Sequence, residues 1–317
     1  MDEADVLTNG TWPIAAAMLP FPGTLPDGTS VQDQPAEGWS DALTQVADAG
    51  FDLVDPTDSW LRIADLSPAR LGELMDVVKA AGLRIPAVST ARRSVIDPDH
   101  GEDNLAYSHR AIDAAVAVGA GVVSFGLFRA LTPAQWEALW FWTAQGPVDP
   151  DDPAVWKLAV DRIRELARHA DEAGIDISLE MYEDTYLGSA DSAVRFVTDV
   201  DHPRAGLNPD LGNLLRLHRP VESWESMAAK TLPYANFWHV KNYFRCEDAT
   251  TGHIVTSPAP LELGVMNYRR AVRMAIEAGF RGVLLCEHYG GDGLSVTATN
   301  REYLRRVLPK GTPLQSQ

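Results

Sequence analysis

The sequence ISLEMYE at residues 177–183 decides the fold of this chain. Its first six residues alternate apolar and polar side chains, and a two-residue period is typical of a β-strand, since successive side chains point to opposite faces. The preceding DEAG at residues 171–174 is typical of a helix that ends on glycine. A helix therefore leads into this strand, and Glu180 lies towards its carboxyl end.

The same alternation of helix and strand runs along the whole chain. The patterns predict strands at 12–18, 51–55, 84–88, 121–125, 177–183, 205–210, 236–241 and 282–287, and helices at 40–49, 67–82, 104–118, 153–173, 189–200, 220–230, 267–278 and 297–307. Alternating elements of this kind predict a parallel sheet. Eight units in 317 residues suit one closed (β/α)8 TIM barrel. An open doubly wound sheet would need a glycine-rich phosphate turn after its first strand, and the chain has none there.

We therefore interpret residues 1–317 as a single α/β domain with insertions after strands 4 and 7. The first insertion spans 127–152 and carries Trp136, Trp140, Phe141 and Trp142, and Thr132-Pro133 predicts a short helix within it. Its aromatic residues have two interpretations: they pack the insertion onto the barrel, or they form a lid over an aromatic or sugar ligand or a partner-binding surface. The second is a polar loop at 246–260. The tail at 309–317 is polar and predicted to be mobile.

Composition excludes several classes of function. Asp plus Glu number 44 against 27 Lys plus Arg, for a net charge of −17, which disfavours generic nucleic-acid binding. No apolar run approaches the roughly 20 residues that a bilayer requires, and the first residues lack the basic start of a secretion signal. Two cysteines, Cys246 and Cys286, do not make a disulfide framework. We expect a soluble, cytoplasmic protein with no nucleic-acid or membrane partner.

Four predicted strands in the second half end in residues that bind metals. They are Glu180, Asp210, His239 and Glu287, and neighbouring strands lie about 5 Å apart, so all four side chains can reach one point. Carboxylates that close repel one another unless a cation lies between them. Oxygen ligands with one imidazole favour Mn²⁺ or Mg²⁺, or another divalent ion such as Co²⁺. We predict one such ion per chain, although any one of these carboxylates alone is more typical of a helix cap or an arginine pair.

These residues, in this order, resemble the xylose isomerase-like TIM-barrel superfamily of sugar phosphate isomerases and epimerases, most firmly over 177–292. The family's motifs match SLEM at 178–181, NPDLGN at 208–213, HVK at 239–241 and Glu287. In the epimerase branch an arginine follows the histidine by six residues, and Arg245 occupies that position.

The resemblance implies chemistry in which a proton α to a carbonyl of a keto-sugar is removed. Glu180 and Glu287 are then the base and the acid on opposite sides of the sugar carbon, and Lys241 or Arg245 steadies the enediolate oxygen. An ion pair inside the barrel is the other interpretation of Lys241. Further candidates for substrate binding are Asn213, His288, Tyr182 and Asp292, with Asp55 ranked lower and His218 interpreted as structural.

Two departures from the family pattern keep other products open. Epimerases often carry a histidine where this chain has Asn213, and the 246–260 loop is long. Elimination of a β-substituent, in place of epimerisation or isomerisation, would give a lyase similar to inosose dehydratase or to the large, catalytic subunit of the bacterial C-glycoside deglycosidases. The latter act on 3-oxo-glycosides with flat aromatic aglycones and work with a smaller chain. The predicted partners are thus a carbohydrate or glycoside substrate, and either further copies of this chain or a small subunit.

Two other classes fit less well. An endonuclease of this superfamily that cuts at abasic sites needs several more histidines, including one at the position of Asn213, and the negative charge also disfavours it. A sugar-binding barrel without catalysis is disfavoured because all four strand-end residues are present.

Overall fold

The computed structural model describes residues 7–310. Its strands are β1 (Ile14–Ala17), β2 (Val54–Asp55), β3 (Ala87–Ser89), β4 (Val122–Phe125), β5 (Asp176–Glu180), β6 (Ala205–Asn208), β7 (Trp238–Val240), β8 (Asn242–Glu247), β9 (Ile254–Ala259) and β10 (Leu284–Cys286). Eight of them, all except β8 and β9, pair in parallel and correspond to the eight predicted strands.

These eight strands form a ring. One sheet has the order β2-β1-β10-β7 and the other the order β3-β4-β5-β6. Single parallel bridges join the sheets on both sides, from Leu53 to Arg84 and from Leu207 to Ala235. The predicted (β/α)8 barrel is confirmed.

Long helices cover the outside of the ring, and short helices lie in the loops that follow the strands. They are α1 (Ala36–Asp48), α2 (Thr57–Trp60), α3 (Pro68–Ala80), α4 (Gly101–Ala117), α5 (Pro133–Glu137), α6 (Pro153–Ala173), α7 (Ala190–Val200), α8 (Gly212–Leu215), α9 (Trp224–Thr231), α10 (Tyr268–Glu277) and α11 (Gly293–Val307). The short helices α2 and α8 were not predicted, because four residues cannot show a helical period. None of these helices combines the length and the apolar content needed to cross a membrane.

Local sequence explains where the long helices begin and end. The Ser67 hydroxyl caps α3 by accepting a hydrogen bond from the backbone N–H of Arg70, with Pro68 in the first turn. Gly174 ends α6 with a φ of 77°, a conformation that glycine adopts at little cost. The helix therefore stops where β5 must start.

Every second side chain of the strands points into the barrel, and the same alternation continues into the site at its carboxyl end. Alternate residues of the strands form a small interior cluster: Ala15, Ala17, Leu53, Ala87, Val122, Phe237 and Leu285. His239 follows Phe237 by two residues, and Glu287 follows Leu285 by two residues. Each therefore continues the interior face at the carboxyl end of its strand.

The segment after β7 differs from the prediction. We predicted a polar loop at 246–260, but β8 and β9 form an antiparallel hairpin in which Asn242 pairs with Ala259 and Glu247 with Ile254. The hairpin is half solvated: in β9, Ile254 and Ala259 are buried and Val255 is exposed. The strand pattern was hidden because the polar Thr256 lies on the buried face and the apolar Val255 on the solvated face.

The insertion at 127–152 contains the predicted helix, now α5, with a capping box between Thr132 and Gln135. Residues 311–317 of the predicted mobile tail lie outside the described residues.

Candidate metal centre

The carboxyl ends of β5, β6 and β7 bring three metal-binding side chains together. Glu180, Asp210 and His239 are buried, and each offers one ligand atom within 4.8 Å of the others. The Nδ1 atom of His239 lies 3.8 Å from Glu180 Oε2 and 3.7 Å from Asp210 Oδ2. The predicted convergence of these strand ends is present in the structure.

Glu287 and Lys241 complete the cluster. Glu287 Oε1 lies 3.1 Å from His239 Nδ1, and Lys241 Nζ lies 2.5 Å from both Glu287 Oε2 and Asp210 Oδ2. All these side chains are buried. The ammonium group therefore balances two carboxylates directly.

Burial and charge push the pKa values of the two glutamates apart. Burial raises the pKa of Glu180 to about 7, with His239 lowering it and Asp210 raising it. Burial also acts to raise the pKa of Glu287, but Lys241 and His239 outweigh it and hold that pKa well below its usual range. The two carboxyl groups of this site therefore differ in proton affinity, as in many acid–base pairs.

The cationic neighbours of these glutamates shift in the opposite sense. Burial acts to lower the pKa of Lys241, but Asp210 and Glu287 raise it well above its usual range. The pKa of His239 is also raised well above its ordinary value, because Glu287 and Glu180 outweigh its burial.

The donor set fits a divalent ion. His239 Nδ1 and Asp210 Oδ2 are buried and make no hydrogen bond to the described residues, although Asp210 contacts the Lys241 ammonium. Mn²⁺ and Mg²⁺ prefer carboxylate oxygens, with or without an imidazole nitrogen, to the thiolate ligands that are typical of structural zinc sites. Glu180, Asp210 and His239 could therefore hold such an ion, with Glu287 beside them.

A second layer of residues orients this cluster. His239 Nε2 lies 3.1 Å from Ser89 Oγ, and that hydroxyl donates to Asp55 Oδ2 at 2.7 Å. Asn213 Nδ2 donates to Glu180 Oε1 and to the Met181 carbonyl, both at 2.9 Å. We ranked Asp55 as a possible substrate contact, yet it lies behind the histidine. We did not predict Ser89, although it ends β3 two residues after the interior Ala87.

The remaining predicted substrate-binding residues lie around the barrel mouth in different roles. Arg245 donates to the backbone carbonyls of residues 215, 217 and 219, at 3.1, 2.6 and 2.5 Å. Asp292 caps α11 by accepting from the Ser295 backbone N–H at 3.0 Å. His288 is half-buried, and burial lowers its pKa. The structure therefore brings Asn213 into the cluster, whereas the side chains of Arg245 and Asp292 form hydrogen bonds with main-chain groups.

Three other side chains lie near the barrel mouth: Tyr182, His218 and Arg216. Tyr182 is buried and stacks on Phe128, with ring centroids 4.3 Å apart. The ring of His218, which we interpreted as structural, bonds to Thr256 Oγ1 at 3.1 Å. The fully buried Arg216 was not predicted at all, since one arginine after a short helix carries no periodic signal.

The aromatic insertion lies over the barrel mouth. Trp142 is buried and packs edge-on against Tyr243 and Tyr289, with ring centroids 5.6 and 5.4 Å apart. By contrast, Trp136 and Leu139 are 74% and 87% exposed. Part of the insertion thus packs onto the barrel, as one interpretation predicted, and part faces solvent.

The chain is similar to known TIM-barrel proteins. The family model described as xylose isomerase-like TIM barrel matches residues 43–307. No curated protein matches the chain. A xylose isomerase-like TIM barrel protein from Mycobacterium smegmatis, crystallised in complex with magnesium, is 51% identical with a TM-score of 0.91, over 95% of this chain and 98% of that chain.

More distant structures share the fold. D-allulose 3-epimerase from Methylomonas sp. is 16% identical with a TM-score of 0.65, over 94% of this chain and 98% of that chain. 3-Keto-D-glucoside 4-epimerase from E. coli is 13% identical with a TM-score of 0.61, over 84% of this chain and 94% of that chain. At these identities the likeness concerns the fold alone.

Proposed function

The chain belongs to the xylose isomerase-like TIM barrel family, and we propose that it is a divalent-metal-dependent enzyme that removes a proton α to a carbonyl of a keto-sugar. The observation that carries this proposal is the buried cluster of Glu180, Asp210 and His239 with Glu287 beside it. The magnesium complex of the Mycobacterium smegmatis protein supports a divalent ion. The sugar epimerases among the structures of the same fold support a carbohydrate substrate.

Glu180, Asp210 and His239, with Glu287, would hold the ion. When bound, a divalent ion polarises a substrate carbonyl and offsets the charge of the carboxylates. Glu287 is ionised at neutral pH and can accept a proton from the carbon next to that carbonyl. Glu180 would be the second carboxyl group of the pair and would return a proton to the substrate carbon from the other side. Lys241 lies between Asp210 and Glu287, where its ammonium group can stabilise negative charge on a substrate oxygen.

The fate of the proton decides the product. Return to the opposite face gives an epimer, and return to the neighbouring carbon gives an isomer. We favour one of these two outcomes, with Mn²⁺, Mg²⁺ or Co²⁺ as the ion. A homo-oligomer or a complex with a small subunit, and a cytoplasmic location, stay predictions from the sequence.

A second candidate is a lyase that acts on 3-oxo-glycosides. The observation that favours it is the aromatic cluster of Phe141, Trp142 and Tyr289 at the barrel mouth, which offers flat surfaces for an aromatic aglycone. The keto-glucoside epimerase of the same fold supports a 3-oxo-glycoside as substrate.

Hydrogen exchange in D₂O tests the proposal. The Mn²⁺-loaded protein is incubated with ketoses and with 3-oxo-glycosides, and NMR and mass spectrometry show which C–H bond exchanges. We expect exchange in the natural protein and none in Glu180→Gln or Glu287→Gln. Free aglycone would select the lyase. Absence of exchange with every substrate, or normal exchange in both variants, would refute the proposed chemistry.

A further inference from the structure

Arg216 is a fully buried cation with donor groups that the protein leaves unused. Its Nη2 donates to both oxygens of Glu183, at 2.8 and 2.7 Å. Its Nε and Nη1 atoms have no hydrogen-bond partner among the described residues. Burying an N–H group without an acceptor costs free energy, so these donors indicate a place where an acceptor binds.

Aromatic rings surround this guanidinium group. Its Cζ atom lies 4.8 Å from the ring centre of Phe141, 5.2 Å from Trp142, 5.0 Å from Tyr182 and 5.9 Å from Tyr289. We call these four rings and Arg216 the arginine cage.

Two more unpartnered polar atoms adjoin the arginine cage. They are Trp142 Nε1 and the Tyr243 hydroxyl, both buried and without a hydrogen-bond partner among the described residues. The two rings lie 5.6 Å apart. Four unused polar atoms therefore gather where the insertion meets the barrel mouth.

The arginine cage borders the metal centre. Tyr289 contacts both cations, since Lys241 Nζ lies 5.6 Å from its ring centre and Arg216 Cζ lies 5.9 Å away. Asn213, three residues before Arg216 along α8 and its end, donates to Glu180. The metal centre and the arginine cage are therefore neighbours at the barrel mouth.

The charges around the arginine cage favour an uncharged ligand. Glu183 balances Arg216, and Asp210 and Glu287 surround Lys241. A phosphate group would need an unbalanced cation or a helix N-terminus. Arg216 and Lys241 are already paired with carboxylates. The third cation, Arg92, lies 5.1 Å from the Phe141 ring centre and donates to the Arg129 carbonyl at 3.1 Å and the Tyr182 hydroxyl at 3.3 Å. Aromatic faces beside N–H and O–H groups instead suit the C–H faces and hydroxyls of a sugar.

We propose that Arg216, Trp142 and Tyr243 bind the hydroxyl groups of an unphosphorylated carbohydrate whose reacting carbon lies at the metal centre. This rests on the proposed function and adds the substrate class to it. Arg216 then does the substrate binding that the family spacing assigned to Arg245, whose Nη1 and Nη2 atoms donate to backbone carbonyls.

The test is calorimetric titration of the Mn²⁺-loaded protein. The ligands are D-allulose, D-fructose and methyl 3-oxo-glucoside, with the 6-phosphates of the two ketoses as charged counterparts. Arg216→Lys keeps a positive charge opposite Glu183 and against the rings but removes Nε and Nη1. We expect the affinity for the unphosphorylated ligand to fall about 10- to 100-fold in this variant, while Mn²⁺ affinity is unchanged.

Arg219→Lys is the matched control, because Arg219 is half exposed and pairs with Asp184, and it should change neither affinity. If Arg216→Lys does not fold, the double variant Glu183→Gln and Arg216→Met removes both charges together and should show the same loss.

Three outcomes would overturn the inference: no unphosphorylated ligand binds, a 6-phosphate binds more tightly than its sugar, or the arginine variants bind sugar normally. Hydrogen exchange is scored separately. Tight sugar binding without exchange would refute the proposed reaction and leave the binding role of Arg216 supported.

Discussion

His239 Nε2 lies 3.1 Å from the hydroxyl oxygen of Ser89. Because Ser89 gives its own proton to Asp55 Oδ2 at 2.7 Å, its oxygen accepts from the Nε2–H of the histidine. Nδ1 is thereby turned towards Glu180, Asp210 and Glu287. Hydrogen bonds of this kind fix the ring orientation of histidines that bind metals.

We therefore expect Ser89→Ala to weaken metal binding. Without the hydroxyl, His239 loses the acceptor that fixes its ring, and Asp55 loses a donor. Affinity for Mn²⁺ or Mg²⁺ should fall about 10- to 100-fold, as measured by calorimetric titration. Ser178→Ala is the control, because Ser178 is buried on β5 and its hydroxyl has no partner among the described residues. Equal affinity in Ser89→Ala and the natural protein would show that the serine does not orient the histidine.

The residues that the sequence could predict are those that follow from the two-residue period. Glu287 continues the face of Leu285, and His239 continues the face of Phe237, so both had to point into the barrel at its carboxyl end. The same rule applied to Leu53 and Ala87 would have placed Asp55 and Ser89 beside them.

Other parts of the site depend on contacts between distant segments. Arg216 is buried by Phe141 and Trp142 of the insertion and by Glu183 after β5, and no local pattern encodes that meeting. Arg245 has the family spacing from His239, but spacing does not fix the direction of a side chain. The hairpin that carries Arg245 was itself hidden by its solvated face.

Lys241→Met should make the stability of the protein depend on metal. Lys241 Nζ lies 2.5 Å from two buried carboxylates, so its removal leaves them without a counter-charge. We expect the free energy of unfolding in a chelator to fall by about 3–5 kcal/mol, and added Mn²⁺ to restore more stability than in the natural protein. Denaturant titrations with EDTA and with Mn²⁺ measure both effects.

Lys230→Met provides the matched comparison for Lys241. Lys230 also contacts two carboxylates, Asp191 at 2.9 Å and Glu222 at 2.7 Å, but on the surface. Its loss should cost less than about 1 kcal/mol. A similar small cost for Lys241→Met would mean that the cluster does not need the ammonium charge.

Arg245→Lys should loosen the segment 215–219. The guanidinium group holds three carbonyls of that segment at once, and a lysine cannot span them with the same geometry. We expect faster amide hydrogen exchange across 215–219 by mass spectrometry, with Mn²⁺ affinity unchanged. Unchanged exchange together with weaker sugar binding would instead favour the substrate contact that the family spacing implies.

Asp149→Asn should reduce the pH dependence of stability. Asp149 joins the insertion to the loop after β5 by accepting from the Tyr186 backbone N–H at 2.9 Å. Burial raises its pKa from 3.8 to about 6, although the Tyr186 hydrogen bond and Arg129 act to lower it. The folded protein therefore holds this proton more tightly than the unfolded chain. The stabilisation is complete below pH 4 and is lost as the pH rises through 6.

That loss amounts to about 2–3 kcal/mol for this one group, and asparagine, which does not titrate, removes it. Between pH 4 and pH 7, denaturant titrations in EDTA should show a smaller fall in the free energy of unfolding for Asp149→Asn than for the natural protein. Asp41→Asn, at an exposed position on α1, should leave the slope unchanged. Parallel pH profiles for Asp149→Asn and the natural protein would mean that Asp149 is ionised without penalty and that the insertion packs more loosely on this loop than the structure indicates.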